Sequence, residues 1–217
     1  MIEAVVFDLD GVLVDSEQVW DAARRDVVAR HGGTWQDSAT RDMLGMSSPE
    51  WSRYVVDELR VQLTPEQVNA MVVDAMLVLY REQLPLLPGA REAVRRLADE
   101  FALGLASSSN REVIDLVLDE MGVSECFATS VSSEEVGRGK PAPDVYLEAA
   151  RRIGADPARS AAIEDSSNGL RSGHAAGMRV VAIPNRAFPP DPDALALADV
   201  VLASVIELTP AAVERGL

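Results

Sequence analysis

The chain has 217 residues, of which 47% are hydrophobic, 25% charged and 5% aromatic, enough to bury a full core without disulfides and unlike a disordered or fibrous chain. Its 35 Asp and Glu against 20 Lys and Arg give a net charge of −15, a balance that nucleic acid and anionic membrane surfaces repel. Its one cysteine, Cys126, excludes an internal disulfide, no stretch approaches the roughly 18 apolar residues of a membrane span, and the N-terminus has no signal-peptide pattern, so a cytoplasmic protein is expected.

Ala4-Val5-Val6-Phe7 is the first continuous apolar run and reads as a buried parallel strand. Residues 16–86 contain no convincing strand. They read as helices over about 16–31 with Val19, Ala23 and Val27, about 49–60 with Trp51, Val55 and Leu59, and about 65–83 with Val72, Ala75 and Leu79. The last opens with Thr64 as N-cap, Pro65 at the first helical position and Gln67 three residues after the cap, a capping box.

From about residue 90 strands and helices alternate. Phe101–Leu105, Ala161–Ile163 and Val180–Ile183 are the strong strand candidates, with Phe127–Val131 and Val200–Leu202 weaker. Asn110 is placed to cap a helix carrying Val113, Leu116 and Val117 that Gly122 closes. Pro143 opens another, with Tyr146, Ala149, Ala150 and Ile153, closed by Gly154. Pro189-Pro190-Asp191-Pro192 reads as a surface loop. The pattern predicts an α/β chain: a doubly wound parallel sheet from residues 1–15 and 87–217, with an all-helical insertion over 16–86.

Ligands of such sheets bind beyond the carboxyl ends of the strands. There the sequence places Asp8-Leu9-Asp10-Gly11, Ser107-Ser108-Ser109-Asn110 and Glu164-Asp165-Ser166, with Lys140 in a further loop. Converging carboxylates repel unless a cation intervenes, and hard oxygen donors suit Mg²⁺. Two acids at i and i+2 both serve one site if the backbone turns, which Gly11 permits; one can attack while the other moves protons. Alone, an acid at a strand end more often caps a loop. Three strand ends in agreement point to chemistry instead. The serine turn offers N–H groups and hydroxyls for phosphate, although serine-rich turns also cap helices. Lys140 is the single lysine beside 19 arginines, a compact charge where the chain otherwise uses a planar fork. His31 and His174 have no partner spacing and read as structural or surface residues.

Asp8–Ser16, Ala106–Ser109, Lys140-Pro141-Ala142-Pro143-Asp144 and Ile163–Gly169 together resemble the four motifs of the haloacid dehalogenase superfamily, in its β-phosphoglucomutase and sugar-phosphate phosphatase branch. Leu86-Leu87-Pro88-Gly89 and Ala175-Ala176-Gly177-Met178 match branch features as well. The resemblance spans nearly the whole chain and implies a Rossmann-like core with a helical cap inserted after the first strand. It implies Asp8 as the nucleophile that forms an aspartyl-phosphate and Asp10 as the acid–base. Ser107, Ser108 and Lys140 would hold the phosphoryl group. Mg²⁺ would be bound by the Asp8 carboxylate, the Asp10 carbonyl and Asp165, with Glu164 a ligand or its neighbour.

The expected activity is therefore hydrolysis of a small phosphorylated metabolite by a monomeric enzyme, with no nucleic-acid or membrane partner. Asp15–Trp20 and Leu84–Gly89 are similar to the 2-deoxyglucose-6-phosphate and hexitol phosphatases. The alternative is a phosphomutase, whose cap typically has a histidine where this chain has Trp20, and a lysine and an arginine near Leu44-Gly45-Met46-Ser47-Ser48, where this chain has none. Trp20 is then expected to shape a pocket for a monophosphate, or else to pack against Trp35 or Trp51. A dehalogenase is disfavoured by Asp10. A phospho-accepting signalling module, the non-enzymatic alternative, has neither a helical cap nor an acid at that position.

Overall fold

A computed structural model describes residues 1–44 and 46–216. Gly45, within the Leu44–Ser48 segment compared above, lies outside the described residues. The chain starts with β1 (Ala4–Phe7), all four residues buried. It then runs through α1 (Glu17–Arg30), α2 (Ala39–Asp42), α3 (Ser48–Asp57) and α4 (Pro65–Glu82) before α5 (Ala90–Ala98). Next come β2 (Ala102–Ser107), α6 (Arg111–Met121), β3 (Phe127–Ser132), α7 (Asp144–Ile153), β4 (Ser160–Glu164), α8 (Ser167–Ala175), β5 (Arg179–Ala182) and β6 (Val200–Val201).

The six strands form one parallel sheet in the order β3-β2-β1-β4-β5-β6. The order reverses beside β1, and a crevice opens there beyond the carboxyl ends. Register levels that edge: Phe7 pairs with Leu105 on one side and Ile163 on the other. Asp8 and Glu164, each one residue further on, therefore emerge side by side.

Between β1 and α5 the described residues form helices and connecting turns, as the periodicity predicts. The two connections to this helical run lie antiparallel: Asp15 N–H donates to Pro85 O at 2.8 Å and Leu87 N–H to Leu13 O at 3.0 Å. The Thr64–Gln67 capping box forms, and Gly122 and Gly154 close their helices in the left-handed region. Two expectations need correction. The helix expected to reach residue 60 stops at Asp57, because the chain turns at Arg60 (φ 62°) to tuck Leu59 into the core. Asn110 sits at the N-cap of α6 but makes no capping bond; Glu134 accepts from Arg111 N–H instead, at 3.2 Å. Pro189–Asp191 is a surface loop as expected, and it also walls the crevice. No described helix is long and apolar enough to cross a membrane.

Candidate active site

Asp8 leaves the end of β1 with its N–H donating to Ile163 O at 2.9 Å, which fixes the backbone beneath its carboxylate. Lys140 reaches across from the loop before α7. Its Nζ donates to Asp8 Oδ1 and Glu164 Oε1, both at 2.6 Å, and Tyr146 OH donates to the same Glu164 oxygen at 2.7 Å. The other Glu164 oxygen accepts from the Asp165 N–H at 3.1 Å and the Ser166 hydroxyl at 3.3 Å. Glu164 is fully buried, and both its oxygens are engaged.

Two glycines make this packing possible. A Cβ on Gly169 would stand 1.8 Å from Glu164 Oε2. Gly11 adopts φ +78°, and a Cβ there would stand 1.9 Å from Asp165 Oδ2. A side chain at either position would displace a carboxylate of the site.

Asp8, Glu164 and Asp165 offer oxygens that lie within 4.8 Å of one another, all buried. Burial raises the Asp8 carboxyl to about 8, against the pull of Lys140 and with the push of Glu164 and Asp10. Burial, then Glu164 and Asp8, likewise pushes Asp165 well above the carboxylate range. Burial opposes the charge on Lys140, but Asp8 and Glu164 more than offset it and raise the ammonium. Three buried acids stand beside one ammonium, which pairs with two of them, so the cluster is short of positive charge. Hard oxygen donors with that deficit fit a divalent cation.

Asp10 stands apart from this trio. Its Oδ1 accepts from Trp20 Nε1 at 3.1 Å and its Oδ2 from the Ser109 hydroxyl at 2.5 Å. Trp20 also packs on Trp51, with ring centroids 6.1 Å apart, while Trp35 stacks with Arg25 instead. The crevice is a cavity of about 580 Å³ whose wall includes Asp8, Asp10, Trp20, Ser108, Lys140 and Asp165. Ser108 has a buried hydroxyl with no partner among the described residues. Ser107 lies behind the wall, fully buried, its hydroxyl accepting from Ser109 N–H at 3.0 Å.

Several participants escape the motif reading. Ser109 is adjacent to the chosen serines. Asn185, which donates to Asp165 at 3.3 Å, follows β5, and the strand-end rule applied to that strand points to it. Tyr146 reads as one of several apolar positions on α7, although a buried phenol needs an acceptor. Arg24 interrupts the apolar stripe of α1 four residues after Trp20. With Arg41 it lines the cavity, so the helical insertion brings two arginines to the cavity wall, one from α1 and one from α2.

The sequence pattern of haloacid dehalogenase-like hydrolases matches residues 2–177. The chain is 37% identical over 216 residues to hexitol phosphatase B of Escherichia coli, covering 96% of this chain and 95% of that one. Among solved structures, CbbY from Rhodobacter sphaeroides in complex with phosphate is similar at a TM-score of 0.86 and 26% identity, over 96% of both chains. A β-phosphoglucomutase from Clostridium difficile shares the fold at 0.83 and 23% identity, over 96% of this chain and 94% of that one.

Proposed function

The chain belongs to the haloacid dehalogenase-like hydrolases, and from that membership and the site's geometry we propose a Mg²⁺-dependent phosphatase that hydrolyses a small sugar or polyol phosphate through an aspartyl-phosphate. Residues 1–15 and 87–217 are the catalytic core in this reading, and 16–86 the cap. The observation that carries it is the pairing of two differently held acids on one cavity: Asp8 on an ammonium, and Asp10 on two neutral donors.

Lys140 holds Asp8 Oδ1, and Oδ2 has no hydrogen bond among the described residues, so Oδ2 is the attacking oxygen. It bonds to phosphorus as the ester P–O bond breaks, and the departing alkoxide takes a proton from Asp10. Asp10, now ionised, accepts from Trp20 and Ser109 as observed, and the Ser109 hydroxyl turns to accept when Asp10 is protonated. Water then gives its proton to Asp10 and attacks phosphorus; the Asp8–phosphorus bond breaks and phosphate leaves. Lys140 and the unpartnered Ser108 hydroxyl receive the phosphoryl oxygens. The Asp8 and Asp165 carboxylates and the Asp10 carbonyl would hold Mg²⁺, which neutralises charge on the phosphoryl group when bound. Glu164 acts through Lys140. The cap, with Trp20 on the cavity wall, covers the organic part of the substrate.

Similarity to hexitol phosphatase B favours hydrolysis, and Arg24 and Arg41 on the cap side keep a phosphomutase as the second reading. A panel of phosphorylated metabolites with Mg²⁺, read for released phosphate and for isomerised product, separates the two. Phosphate release abolished by Asp8→Asn is the expected result. Isomerisation faster than phosphate release would overturn the phosphatase reading.

A further inference from the structure

We propose that Arg24 is a specificity-determining residue that receives an anionic group, carboxylate or second phosphoryl, at the end of the substrate remote from the scissile phosphate. The cavity then suits a phosphorylated sugar acid or a bisphosphate better than a neutral polyol phosphate. The inference rests on the phosphatase reading and deepens it.

Arg24 lies on the inward stripe of α1, among Trp20, Ala23, Val27 and Val28, where an apolar residue is expected. It is only 7% exposed, and it lines the cavity. Its guanidinium carbon sits 5.0 Å from the ring centroids of both Trp20 and Trp51, whose planes are inclined at 58°. The two indoles hold the fork in one orientation before any ligand arrives, so little further freedom is lost on binding. Nε is buried with no hydrogen-bond partner among the described residues. Among the described residues no carboxylate forms an ion pair with the group. Attraction to the indole faces offsets only part of the cost of burying a charge, which leaves a cation in need of an anion.

Glu17, Asp10 and Asp21 act on Arg24 through space, without an ion pair among the described residues. Asp10 is occupied by Trp20 and Ser109, and Asp21 by Arg25 and Thr40. Glu17 shares the cavity wall, and burial raises its carboxyl to about 7, so near neutrality it meets a ligand as donor as readily as acceptor. Arg41 adds an exposed cation on the same side, whereas Arg171 on the opposite wall is already paired with Asp191 and Asp193. Trp20 touches Asp10 through its N–H and Arg24 through its face. Arg24 therefore stands one indole beyond the leaving-group oxygen, where the far end of a short sugar chain lies. Arginine binds a carboxylate or phosphoryl group in a two-pronged contact that a hydroxymethyl group does not match.

The test compares sorbitol 6-phosphate, 6-phosphogluconate and sorbitol 1,6-bisphosphate, which share a carbon chain and differ at the far end. The expected kcat/KM for at least one anionic member exceeds that of sorbitol 6-phosphate by roughly tenfold to a hundredfold, and which member leads separates carboxylate from phosphoryl. In Arg24→Met the ratio should collapse to within about threefold, and Arg24→Lys should keep part of it. Calorimetric Kd values in Asp8→Asn should rank the three ligands in the same order. Equal constants in the wild type, or a ratio that survives in Arg24→Met, would overturn the proposal and leave Arg24 a strut between two indoles. If Arg24→Met does not fold, the wild-type ratio and Arg24→Lys decide. Failure to release phosphate from all three and from p-nitrophenyl phosphate would strike the phosphatase reading, while the calorimetric ranking would still decide the role of Arg24.

Discussion

Trp20, from the first helix of the insertion, donates its indole N–H to Oδ1 of Asp10 at 3.1 Å, while Ser109, from the loop after β2, donates to Oδ2 of the same carboxylate at 2.5 Å. The proposed acid–base is therefore oriented by one group from each side of the crevice, and is correctly aimed only when both sides are together. Trp20→Phe keeps the packing on Trp51 and removes one donor. Phosphorylation of Asp8 by an alkyl phosphate should slow about tenfold, the loss of one hydrogen bond to a charged group. An aryl phosphate, whose leaving group needs no proton, should slow much less. Single-turnover measurements with the two esters make the comparison. Equal losses would show that Trp20 serves packing alone.

Glu164 separates two roles that the motif leaves merged. With one oxygen shared by Lys140 and Tyr146 and the other by the Asp165 N–H and Ser166, it holds the ammonium that faces Asp8. Glu164→Gln should lower kcat by roughly tenfold to a hundredfold, because Lys140 loses one of its two counter-charges in a buried site. The Mg²⁺ concentration for half-maximal activity should move by a smaller factor than kcat does. A Mg²⁺ titration of kcat reads both quantities. A steep loss of Mg²⁺ affinity would make Glu164 a direct ligand.

Gly11 is held by two constraints, its φ of +78° and the Asp165 carboxylate 1.9 Å from where a Cβ would stand. Gly11→Ala should therefore strain the turn by about 1 kcal/mol and push Asp165 off its position. The expected outcome is a folded protein with Mg²⁺ affinity weakened by about tenfold or more. In the wild type, Mg²⁺ should raise the midpoint of thermal unfolding through preferential binding to the native state, and in Gly11→Ala much of that rise should disappear. A full rise in the variant would show that Asp165 does not hold the ion.

The parallel sheet was legible because strands covered on both faces must be continuous apolar runs, and Ala4–Phe7 and Ala161–Ile163 are such runs. The acids were legible because a parallel sheet delivers successive strand ends to one edge. What the sequence hides is side-chain direction. Asn110 sits where a cap is expected, yet it turns to bind Ser48 at 2.8 Å, Asn69 at 3.2 Å and Glu134 at 2.6 Å, bonds between segments far apart in the chain. Ser107 and Ser108 are adjacent in sequence, yet Ser108 lines the cavity while the Ser107 hydroxyl is taken up by the Ser109 N–H. Arg24 on an apolar stripe is visible as an anomaly, and helical spacing places Trp20 beside it, but Trp51 comes from α3, whose packing on α1 no local pattern encodes.

Glu17 gives the metal-free protein a pH dependence of predictable sign. Burial lifts its carboxyl to about 7, with Arg24 acting against the shift and Asp10, Asp21 and Asp15 adding to it. In the unfolded chain the same group titrates near 4.5. Between these values the native state keeps a proton that the unfolded state has released, so stability falls as pH rises through the window and levels off above about 7. Asp8 and Asp165 are also raised and slope the same way, which makes the difference between wild type and Glu17→Gln the informative quantity. The variant carries a neutral amide at all pH values. It should match the wild type near pH 4.5 and unfold at a higher temperature near pH 8, by about 4 °C for a chain of this size. Thermal unfolding in the presence of a chelator, scanned from pH 4.5 to 8, measures that difference. Parallel curves would show that Glu17 is ionised in the native state throughout, and that Arg24 is neutralised within the cavity after all.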